Sequence, residues 1–92
     1  MKIEEKIENR IKMLELDIQI AENEIASNNS MIDTRNEEIK WCEEQGAYAY
    51  EVKMHKCSIK DLERQNLVVY ERYAVLKSQL YSLNKLLTDE NK

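Results

Sequence analysis

The sequence predicts an all-α fold: an antiparallel helical hairpin of coiled-coil type, paired with a second copy to make a four-helix bundle. Three observations carry this. Isoleucine recurs every seventh residue at Ile11, Ile18, Ile25, Ile32 and Ile39; seven residues are two helical turns, so these side chains form one seam along a helix. A second run, Val52, His55, Ile59, Leu62, Asn66, Val69, Tyr73, Leu76, Leu80, Leu83 and Leu87, also steps by three and four but stands one residue out of phase with the first. Between the two runs sits Gly46, the single glycine of a 92-residue chain without proline.

The first helix is expected over about 3–45. With the isoleucines at heptad position a, the d positions hold Ile7, Leu14, Ala21, Asn28, Arg35 and Cys42. One stretch argues against continuity. Ser27, Asn28, Asn29 and Ser30 prefer caps and turns to helix interiors, and Thr34-Arg35-Asn36-Glu37 resembles a capping box. The isoleucine spacing runs through this segment unbroken, which favours one helix over a break at 27–30.

A turn is expected over about 46–48, where the phase slips. Glycine enters the left-handed region without steric cost and commonly stands just past a helix C-terminus. The second helix then covers about 49–88. The whole chain is a single domain, 1–92.

Pairing the arms fixes a register. With the turn centred on Ala47, residues in one layer have numbers adding to 94. The seam then matches Ile7, Ile11, Leu14 and Ile18 with Leu87, Leu83, Leu80 and Leu76. Towards the turn it matches Ala21 with Tyr73, Ile25 with Val69, Asn28 with Asn66, and Ile32 with Leu62. Small faces large at Ala21, and the two seam asparagines meet. A slide of one heptad would leave Asn66 against Ala21 and Asn28 against Ile59, and a buried amide without a partner costs about 1–3 kcal/mol. Flanking charges agree with the same register: Glu43 falls beside Lys56, Glu22 beside Lys77 and Glu24 beside Arg72. Two layers near the turn are poor, Arg35 with Ile59 and Ile39 with His55, so a looser end is expected there.

Apolar residues off the seam suggest a second face. Met13, Leu16 and Ile20 on the first helix and Val68, Ala74, Val75 and Tyr81 on the second fall in the half of the rod away from the turn. They are the expected homodimer face; scattered surface hydrophobes are the plainer alternative. A lone hairpin of this size buries little apolar surface, and self-association is a common remedy.

Composition narrows the function classes. With 14 basic and 18 acidic residues and a net charge of −4, the chain is poorly suited to neutralising phosphates or an anionic membrane. Apolar runs are short, as in Leu67-Val68-Val69, so neither a membrane span nor a signal peptide is expected. Cys42 and Cys57 are too few for a disulfide framework and lack metal-knuckle spacing, which points to free thiols and a cytoplasmic setting. The lone histidine, His55, follows Glu51 by four residues, and the Glu-x-x-His of di-metal bundles does not occur. No nucleophile–histidine–acid arrangement and no glycine-rich phosphate loop is present. Neither enzyme chemistry nor a cofactor or metal is expected.

Two surfaces remain as candidate partner sites. Lys53, Lys56, Lys60 and Arg64 form a basic stripe down the second helix, suited to an acidic partner; neutralisation by Glu38, Glu43 and Glu44 is the plainer reading. Trp41, Tyr48 and Tyr50 cluster at the turn, where aromatic residues either anchor a partner or cap the open end of the seam. The expected role is that of a protein–protein interaction, assembly or regulatory protein, on a plan common among small phage and bacterial regulators. Weak nucleic-acid binding through the basic stripe is an alternative.

Size, the helix–turn–helix plan and Trp41 ahead of Gly46 also resemble the WXG100-type substrates of type VII secretion. The resemblance implies a secreted cargo or its companion. The chain departs from that pattern in two places. Four residues separate Trp41 from Gly46 where the family has one, and Tyr81 is followed four residues on by Lys85 where the family has an acid.

Overall fold

The computed structural model describes residues 2–90. Helix α1 spans Ile3–Gln45 and α2 spans Ala49–Glu90, the latter two residues longer than its pattern suggested. At 1.5 Å per residue each is about 65 Å long. They lie antiparallel in a rod of 67 × 19 × 14 Å. α1 begins without a side-chain cap at Lys2, but Glu4 and Glu5 stand in its first turn, where negative charge suits the helix dipole.

α1 passes through 27–30 unbroken, with the amides of Asn28 and Asn29 bonded across the seam to Asn66. Asn28 Nδ2 donates to Asn66 Oδ1 at 2.9 Å, and Asn66 Nδ2 donates to Asn29 Oδ1 at 3.0 Å. Thr34 Oγ1 donates back to the Ser30 carbonyl at 3.1 Å. Amides that would have capped a break are used across the seam instead. The asparagine contact also establishes the expected register, with Ala21, Ile25, Val69 and Tyr73 packed as a cluster one heptad away.

Burial along the seam is uneven. On α1, Ile7, Ile11, Leu14, Ile18, Ala21, Ile25, Asn28, Ile39 and Cys42 are buried, while Ile32 is half-buried and Arg35 exposed. On α2, Leu62, Asn66 and Val69 are buried, but Tyr73, Leu76, Leu80, Leu83 and Leu87 are only half-buried. Two helices make a seam one layer thick, so large side chains overhang it. Tyr73 extends past small Ala21, and the Lys77 ammonium sits 5.4 Å over its ring. Lys77 therefore covers the tyrosine, and the expected Glu22–Lys77 and Glu43–Lys56 ion pairs are not formed. Glu24 and Arg72 do pair, at 2.6 Å.

The turn is tight. Gly46 takes φ 66° and its N–H donates to the Glu43 carbonyl at 3.1 Å, closing α1. Tyr48 also takes φ 66°, and its carbonyl accepts the first bond of α2 from Val52 N–H at 3.0 Å. A Cβ on Gly46 would meet nothing within 4 Å, so Gly46→Ala carries only the left-handed backbone penalty, about 1–2 kcal/mol.

Two stability measurements follow. Asn28→Ala leaves Asn66 without its acceptor role filled and should cost about 1–3 kcal/mol in urea denaturation followed by circular dichroism. Asn28→Leu with Asn66→Leu should recover that loss while admitting other registers. A neutral Asn28→Ala would show that the amide layer does not hold the arms in place.

Candidate interaction surfaces

At the turn, α1 ends one helical turn after Trp41, and the left-handed conformation of Tyr48 folds its ring back over the indole. The ring centroids are 5.6 Å apart and the planes are tilted by 30°. Left-handed backbone is costly for a residue with a Cβ, while an aromatic pair contributes roughly 0.5–1.5 kcal/mol, so the stack offsets the strain. Both rings remain about half exposed, and Tyr50 points outward at 70% exposure. Trp41 and Tyr48 thus cap the seam over buried Cys42 and still present an aromatic surface.

Beneath them the two poor layers of the seam are bridged by polar contacts. Arg35 Nη1 lies 3.0 Å from His55 Nδ1, and His55 Nε2 lies 2.9 Å from Glu38 Oε2. A guanidinium only donates, so Nδ1 accepts and the Nε2 hydrogen is directed at Glu38. An open groove of about 410 Å³ runs alongside, lined by Glu38, Trp41, Cys42, Tyr48, Glu51 and His55. This relay is not legible in the sequence, where Arg35 and His55 appear only as misfits.

The basic stripe occupies the other side of the hairpin. Lys53, Lys56 and Lys60 line a shallow groove together with Ala49, Val52 and Cys57 and no residue of α1. Among the described residues none of the three lysines has an ion-pair partner within 4 Å, whereas Arg64 pairs weakly with Asp61 at 3.5 Å. Glu38, expected beside the stripe, is directed at His55.

The off-seam apolar residues are exposed: Met13, Leu16, Ile20, Val68, Ala74, Val75 and Tyr81. They do not share one side. Ile20 lines the groove that holds the Glu24–Arg72 pair, while Tyr81 falls on the α2 heptad position of Lys53 and Lys60. Among the described residues no group of three or more His, Cys, Asp and Glu side chains could hold a metal ion. Among the described residues no helix is long and apolar enough to cross a membrane. No known family model, curated protein or solved structure matches this chain.

The tip makes its own test. Tyr48→Ala keeps the left-handed strain and loses the stack, and should lower stability by about 1 kcal/mol. Tyr48→Gly loses the stack but also the strain, and should be close to neutral. Thermal melts and the near-ultraviolet signal of Trp41 would check this; equal losses in the two variants would mean the backbone there is unstrained.

Proposed function

We propose that this chain is a non-enzymatic interaction protein, a self-associating helical hairpin that serves assembly or regulation through its surfaces. One observation carries the reading: seven apolar side chains lie exposed in the same half of a rod whose seam is already occupied. In that stretch α2 is apolar around most of its circumference, with Leu67, Val68, Val69, Tyr70, Tyr73, Ala74 and Val75 interrupted only by Glu71 and Arg72. A helix apolar all round is normally buried, and two free thiols, one buried and one exposed, suit a cytoplasmic setting. The tip aromatics, Trp41, Tyr48 and Tyr50, are the proposed contact with a different protein.

Sedimentation velocity tests the first part: mass should rise above the 11.0 kDa of one chain with increasing concentration, and a constant monomer would end the proposal. Capture from the native host with wild type and a Trp41→Ala, Tyr48→Ala double variant tests the tip. Loss of one specific band with the helical spectrum intact supports it; an unchanged set of bands removes the tip. A nucleic-acid role through Lys53, Lys56, Lys60 and Arg64 is the second reading, favoured by the unpaired lysines. It requires DNA retention that falls steeply with salt.

A further inference from the structure

Resting on the self-association proposed above, we infer that copies pack side by side with their turns at the same end, the outer face of α1 against the basic-and-apolar stripe of a neighbour's α2. The α2 stripe is a second heptad series parallel to the seam: Lys53, Lys56, Lys60, Glu63, Leu67, Tyr70, Ala74, Lys77 and Tyr81, stepping by three and four. Lys53, Lys56 and Lys60 occupy its turn end, and its open end is apolar except for Lys77, which lies over the Tyr73 ring of its own chain. The outer face of α1 has the complementary order, with Met13, Leu16 and Ile20 at the open end, Asn23, Ser27 and Ser30 in the middle, and Glu37, Trp41 and Glu44 towards the turn.

Placing two hairpins with their turns level makes the interlocking testable residue by residue, since the level of each residue is set by the internal register. At the open end, Met13 meets the neighbour's Tyr81 and Ile20 its Ala74. In the middle, Asn23 meets the neighbour's Tyr70 and Ser27 its Leu67, small against large. Near the turn, Glu37 meets the neighbour's Lys56 in an ion pair. No like-charged pair arises along the stripe. The reverse orientation would put Lys56 and Lys60 against Met13 and Leu16, and Glu37 against Tyr81. The negative end of the α1 dipole, which has no basic residue in its last turn, also receives the neighbour's lysines.

The contact is heterologous. The α1 and α2 stripes lie on opposite sides of the hairpin, so each pairing leaves one α1 face and one α2 face free, and the contact repeats. A closed square bundle would instead bury the positions flanking the seam, which carry Glu8, Glu15 and Glu22 on one side and Arg10, Asp17 and Glu24 on the other. Two copies therefore form a layer of four helices.

The decisive experiment mixes two singly blocked proteins. Ile20→Glu blocks the α1 face and Ala74→Glu the α2 face; both sites are exposed, and circular dichroism confirms folding. Wild type should form a concentration-dependent series of assemblies by sedimentation, each variant alone should be at least about tenfold weaker, and their equimolar mixture should give a 1:1 dimer that grows no further. A variant that alone assembles like wild type, or a mixture that stays monomeric, overturns the arrangement while leaving self-association standing. A wild type monomeric throughout overturns both. Within the arrangement, Lys56→Glu and Glu37→Lys should each weaken assembly about two- to fivefold, and the double variant should restore it; no restoration overturns the register.

Discussion

The asparagine layer is the constraint on which the rest depends. Two long helices with leucine and isoleucine seams can slide past one another by a heptad at small apolar cost, because one aliphatic layer resembles the next. Asn28 and Asn66 remove that freedom. Asn28 Nδ2 donates to Asn66 Oδ1 at 2.9 Å; displaced by seven residues, both lose that partner in a buried setting. Asn29 Oδ1 accepts from the Asn66 amide N–H at 3.0 Å, so the layer joins three side chains. Every level in the rod, and hence every juxtaposition on its outer faces, is set by that contact.

The flanks of the seam then decide what the surfaces are for. Charged residues border it on both sides, and one of their cross-helix pairs, Glu24–Arg72, closes at 2.6 Å. This borders the seam with solvated charge and leaves the outer faces as the place where apolar side chains collect. The half-burial of Tyr73, Leu76 and Leu80 is the same fact seen from inside: a two-helix layer is too thin to cover large residues, and the apolar band of α2 continues around the helix from its seam. The open half of the rod and the self-association proposed above would draw on the same stretch of α2.

Much of this was legible in the sequence because it rests on periodicity. The isoleucine repeat gives α1, the phase slip at Gly46 gives the turn, and the facing asparagines give the register; each is a long-range pattern that survives local exceptions. Local preference misleads at 27–30, where cap-forming residues stay helical once cross-helix partners are present. The charge pairs were read less well. Glu24 found Arg72, but Lys77 lies over Tyr73, since a flexible ammonium gains as much from an overhanging ring as from an exposed carboxylate. The second-face residues share a level along the rod, but the heptad positions divide them between opposite sides, a distinction that residue numbers alone obscure. The strained φ of Tyr48 has no sequence signal beyond its closeness to Trp41.

The repair of the weakest layer links the fold to the exposed lysines. Arg35 and His55 occupy seam positions near the turn, where neither can bury an uncompensated polar group. Their contact forces the imidazole to accept at Nδ1, because the guanidinium has no lone pair to offer; the remaining ring N–H must then donate, and Glu38 receives it at 2.9 Å. Glu38 lines the groove on that side of the hairpin, opposite the side of Lys53, Lys56 and Lys60. Lys53, Lys56 and Lys60 are left along α2 with positive charge at successive turns, mutually repulsive by a few tenths of a kcal/mol per pair. The carboxylate that completes the polar repair thus stands on one side of the hairpin and the row of cations on the other, so the charge that would balance those lysines in the proposed assembly has to come from outside the hairpin.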